Sequence, residues 1–169
     1  GQDPELARQV EELKQRDQAT GLLNRPTFLG LLDAAVAEAA GQGATHGLLL
    51  IEPDHYARLL DVIGLDASDE LMAAMGQRLD SVAGGAATAR FAERQLALLV
   101  RDSDHMATSE LAERVRDAFA EHVLEVGSHS LNTTVSVGGV QIGEKIASTS
   151  RVLAKASQGA RAAIAAGRN

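Results

Sequence analysis

These 169 residues contain no cysteine, no tryptophan and no block of basic charge. Without thiols there is neither a disulfide nor a thiolate metal site, and a reducing compartment is allowed. No signal peptide is visible, so a cytoplasmic location is expected. Aromatics are only 2% of the chain, which leaves Leu, Val, Ile and Ala to build the core. The net charge of −7, with no clustered Lys or Arg, argues against nucleic acid as a partner. No apolar run approaches the roughly 20 residues that cross a bilayer, so membrane insertion is not expected. What remains is 45% apolar and 23% charged, the balance of a globular chain long enough for one full core.

Residues 4–17, PELARQVEELKQRD, place Leu6, Val10 and Leu13 on one helical stripe among charges. Such a helix either enters from an upstream domain and pairs with a second copy, or packs on its own domain. Gly1-Gln2-Asp3-Pro4 reads as a cloning remnant. Residues 1–16 are therefore expected to be a linker helix and 17–169 the domain. Asn24-Arg25-Pro26 opens a second helix, with proline near its first turn. The short apolar run Gly47 to Ile51, ending at Glu52-Pro53-Asp54, reads as a buried central strand with a polar tip. Helices follow at about 55–63 and 67–82, joined at Gly64. A hairpin comes next, with strands near 87–92 and 95–101, then a helix over 104–121. Strands at 123–126 and 132–142 flank Gly127-Ser128, and an Ala-rich helix covers 149–166. The pattern predicts a single α/β (α+β) domain: a central mixed, mainly antiparallel sheet with helices on both faces. The five histidines (46, 55, 105, 122 and 129) show no ligand spacing.

Ligands in such sheets gather at strand ends. Two ends stand out, Glu52-Pro53-Asp54 and the turn Ala92-Glu93-Arg94-Gln95. Around them the chain resembles the GGDEF domain of diguanylate cyclases over nearly its whole length. Asp17 to Arg25 match the family's D-x-L-T-G-L-x-N-R at all but one position. Leu49 to Tyr56 resemble its strand and D-x-D-x-F segment. Gly64 and Asp69 fall where it has G-x-x-x-G-D, with Ser68 in place of the second glycine. Thr134 to Gly138 resemble its late strand, and Gly167-Arg168-Asn169 its closing G-R-N. Five pieces in the right order and at the right intervals carry the resemblance.

The resemblance implies a signature at Ala92-Glu93-Arg94-Gln95-Leu96, and there the sequence departs from the family. Both glycines, which let backbone pass close to a nucleotide, are absent. The family's metal-binding acid is Arg94 and the acid after it is Gln95. The family's metal ions, usually Mg²⁺ on oxygen ligands, neutralise triphosphate and assist attack by a ribose hydroxyl. Exchanging carboxylate for guanidinium shifts the local charge by about two units. Two like charges 4 Å apart repel by roughly 4 kcal/mol at an effective dielectric of 20. The family's strand metal aspartate maps to Glu52, its guanine-binding asparagine to Leu60, and its second guanine contact to Asp69, which is kept. Its two lysines map to Ala57 and Ile164, and its phosphate arginine to Arg168. Its R-x-x-D product-inhibition motif maps to Ala83 and Ala86.

The expectation is therefore a GGDEF domain without catalytic residues, binding neither Mg²⁺ nor GTP and acting as a regulatory or interaction module. Glu52, Asp69 and Arg168 are either relics of a GTP pocket, which would make the domain an allosteric GTP sensor, or a solvated strand tip, a helix-turn acid and a surface arginine. A divergent active cyclase is the third reading. Slipping the hairpin by one residue would bring Glu93 to the metal position, but it would turn Phe91, Leu96 and Leu98 away from their partners. Family architecture implies a bacterial signalling protein with a PAS-like sensor upstream, an EAL domain downstream and pairing through the N-terminal helix. A degenerate GGDEF domain beside an EAL domain resembles cyclic di-GMP receptors of the FimX type, which act in type IV pilus motility; that step is analogy from fold.

Overall fold

The computed structural model describes residues 3–146 and 148–166. Its elements run α1 (Pro4–Lys14), α2 (Arg25–Gln42), β1 (His46–Pro53), α3 (Tyr56–Ile63), α4 (Ser68–Val82), β2 (Ala87–Ala92), β3 (Gln95–Val100), α5 (His105–Ala120), β4 (Val123–Val126), β5 (His129–Asn132), β6 (Val135–Ile142) and α6 (Thr149–Ala165). Side-chain caps start the long helices. Asn24 accepts from the Thr27 amide, Asp104 from Ala107 and Ser148 from Arg151, each supplying an acceptor that the first turn lacks. α2 ends at Gly43, whose φ of 69° closes the helix in a left-handed turn.

The central sheet has the order β2-β3-β1-β6. Its pairings are all antiparallel, and the parallel contact is an isolated bridge between Leu23 and Ala89. The sequence pattern predicts a strand over 132–142 and none at 129–131. Here His129–Asn132 folds back on β4 as a separate hairpin, and Thr133-Thr134 separates it from β6.

β1 is apolar on both faces because helices cover both. Leu49 and Ile51 face α4 and α5, in a core that includes Leu71, Met75, Leu79, Val115 and Phe119. Leu48 and Leu50 face α2 and α6, with Phe28, Leu32, Phe91 and Val152. The alternation of a strand sends neighbours to opposite sides, so an unbroken apolar run marks burial on both. α1 contrasts with this. It buries no residue, and Leu6 and Leu13 are 58% and 71% exposed. Arg8 bridges Glu5 and Glu12 along its surface and holds the Glu5 carboxyl below its ordinary range.

Candidate functional site

β2 and β3 are joined by the two-residue turn Glu93-Arg94, with Ala92 paired to Gln95. Such turns usually need left-handed backbone, which glycine adopts freely. Neither turn residue has it: His55 and Asp102 are the non-glycine residues with positive φ among those described. The register instead shifts between Arg90, paired with Leu96, and Ala92. Phe91 is thus an extra residue in β2, and this bulge absorbs the turn's mismatch. Phe91 stays buried, its ring edge-on to Phe28 at 5.8 Å and beneath the Arg25 guanidinium at 4.0 Å. The backbone thereby accommodates the loss of both glycines.

This register sets Arg94, not Glu93, beside β1. Arg94 Nε lies 3.9 Å from Glu52 Oε1, and its guanidinium carbon is 5.6 Å from the Tyr56 ring centre. The Glu52 side chain is 16% exposed and that of Arg94 61%. A half-sunk carboxylate at the strand end therefore faces a cation tethered to the chain. The two line an open cleft of about 370 Å³ with Tyr56, Arg58, Ala57 and Ile164. The positions where the family carries lysines, Ala57 and Ile164, thus border the same space without a charge.

Asp69, in the first turn of α4, accepts a hydrogen bond from Arg90 Nη1 at 2.8 Å. Arg90 also donates to the Glu93 carbonyl at 2.8 Å and lies 3.7 Å from Asp17. That carboxylate therefore ties the hairpin to α4. Ser68, where the resemblance expects glycine, shares a hydrogen bond with the Tyr56 hydroxyl and links the first residues of α3 and α4. Ala83 and Ala86 pack against the core at the end of α4. Arg168 lies outside the described residues. Among the described residues no three His, Asp or Glu side chains gather as a metal site would require. No helix among them is long and apolar enough to cross a membrane.

One residue that the sequence placed in a polar strand tip has another role. Asp54 is 1% exposed, accepts from Ser136 Oγ at 2.6 Å and from the Thr134 hydroxyl, and donates its amide to the Thr134 carbonyl at 3.0 Å. It fastens the end of β1 to β6, and His55 then turns into α3 through a left-handed φ of 56°. The alternation of hydroxyls in Thr134-Val135-Ser136 was the available signal, since both side chains point to one side of β6. Asp54→Ala removes the acceptor of two hydroxyls and should cost about 2–3 kcal/mol. Urea denaturation measures it, and a loss below 0.5 kcal/mol would mean the network carries no net stability.

Comparison with known proteins completes the picture. Residues 14–169 match the family model described as diguanylate cyclase, GGDEF domain. The chain belongs to the GGDEF family. It is 30% identical over 161 residues to the response regulator PleD of Caulobacter vibrioides, covering 94% of this chain and 36% of PleD. It is 28% identical over 117 residues to the diguanylate cyclase DgcM of Escherichia coli, covering 69% of this chain and 28% of DgcM. The chain thus spans about a third of these curated relatives. The crystal structure of the FimX GGDEF domain from Pseudomonas aeruginosa superposes with a TM-score of 0.87 at 28% identity, covering 92% of this chain and 96% of that one.

Proposed function

We propose that this GGDEF domain is catalytically inactive and serves as a regulatory or protein-interaction module in a larger cyclic di-GMP signalling protein. The observation that carries the reading is the Arg94–Glu52 pair. Cyclase chemistry of the family's kind needs a divalent cation next to the strand acid, and a guanidinium beside that acid opposes a second positive charge there. Leu60 offers no hydrogen bond to a guanine, and the Asp69 carboxylate is already held by Arg90. Pairing two identical subunits does not repair the site, because each half presents the same residues.

The likeness to the FimX GGDEF domain supports a role beside an EAL domain, with α1 as the link to an upstream sensor and, through its uncovered Leu6, Val10 and Leu13 stripe, to a second copy. Type IV pilus control is the specific setting proposed, by analogy from fold.

The test is direct. Incubation with GTP and Mg²⁺ or Mn²⁺, followed by chromatography, should give no cyclic di-GMP above a no-enzyme control; any excess overturns the proposal. Calorimetry with GTP and Mg²⁺ should give no heat of binding. Micromolar binding without turnover would instead make the domain a GTP sensor.

A further inference from the structure

At the end of the sheet away from the signature hairpin, His46 opens β1 with 2% of its surface exposed. Its Nδ1 accepts the Asp102 amide at 2.9 Å. A ring nitrogen that accepts carries no proton, so the neutral ring bears its hydrogen on Nε2. That Nε2 is buried with no hydrogen-bond partner among the described residues, and Glu38 Oε1 stands 3.8 Å away. Glu38, on α2, meanwhile clasps Arg101. Asp102 holds a positive φ of 51°, a strained conformation for a residue with a side chain.

α2 brings Glu38, and the segment after β3 brings Arg101 and Asp102. β6 contributes the neutral Gln141 amide, which donates to the His46 carbonyl at 2.8 Å and to the Ser103 carbonyl. α5 contributes the neutral Thr108 hydroxyl, bonded to Ser103 at 2.9 Å, while its cap Asp104 is engaged with Ala107.

We infer that His46 is a proton-operated latch on the Arg101–Asp104 loop, with Glu38 switching between Arg101 and His46. Protonation puts a hydrogen on Nδ1, so two donors face each other where one bond had been, and the strained Asp102 loses the contact that holds it. The same proton makes His46 a cation 3.8 Å from Glu38, which then competes with Arg101 for that carboxylate. The neutral ring closes the latch and the charged ring opens it. The loop leads straight into the cap of α5, so opening loosens the start of that helix.

Amide hydrogen exchange by NMR between pH 8 and pH 5, corrected for intrinsic rates, tests this. Protection of the Asp102 amide should fall about tenfold between those two pH values, the scale of one net hydrogen bond. In His46→Phe the Asp102 amide should exchange fast at both ends, with no pH step. Glu38→Gln, at a partly exposed position, covers the case where that core variant fails to fold. It should keep the Asp102 step while the Arg101 Nε–H resonance stops moving with pH. Unchanged Asp102 protection in the native protein across this range overturns the inference. So does an Arg101 signal that moves equally in the native protein and in Glu38→Gln.

Discussion

Gly138→Ala is expected to cost about 3 kcal/mol, although it adds one methyl group to a strand. A Cβ at 138 would overlap the Ala156 carbonyl oxygen and the Ala160 amide nitrogen, and would stand 2.9 Å from Ala160 Cα. All three are backbone atoms of α6, so no rotamer change makes room. α6 would have to lift from β6, and Val152, Ala156 and Ala160, which it buries there, would lose their packing together. Gly47→Ala offers the contrast. Its new methyl would stand 2.7 Å from the Thr108 Cγ2, and its three nearest neighbours all belong to that side chain. Thr108 can turn away at the expense of its bond to Ser103, so the cost should be nearer 1 kcal/mol. Urea denaturation of both variants decides the matter. If Gly138→Ala stayed within 1 kcal/mol of the native protein, helix and strand would not be in backbone contact.

Arg94→Glu should make the stability of the domain respond to divalent cations, a response not expected of the native protein. The substitution removes the tethered cation from Glu52 and sets a second carboxylate in its place. Without metal the two acids repel, so the variant should melt below the native protein. Added Mg²⁺ or Mn²⁺ relieves that repulsion, and binding to the folded state alone stabilises by about 1.4 kcal/mol at ten times Kd. Thermal melts with and without the ion read the difference, and the native protein should show none. Cyclic di-GMP synthesis should stay at background even so. Leu60 still offers nothing to guanine, and Ala57 and Ile164 still put no charge where the family has its two lysines. A native melting temperature that rises with Mg²⁺ would defeat the idea that Arg94 substitutes for the ion.

Much of the architecture was legible from periodicity and helix-start signals. The unbroken Leu48–Ile51 run marked a buried central strand, and Asn24-Arg25-Pro26 marked the start of α2. The β5–β6 boundary was missed because Asn132 to Ile142 alternates acceptably throughout. Thr134, just before β6, instead hydrogen-bonds through its hydroxyl to Asp54. No local rule announces a partner 80 residues away in the chain.

The same division separates what residue types settle from what folding settles. Composition and motif order were enough for the family, and side-chain identity alone puts a positive charge in the signature where that family has an acid. A charge belongs to its residue wherever the chain goes. Which group Arg94 confronts, what holds Asp69, and how a turn closes without glycine are matters of register and packing. Distant segments settle these: the bulge at Phe91 sets the hairpin's phase, and Glu52 meets Arg94 only because β1 lies beside β3.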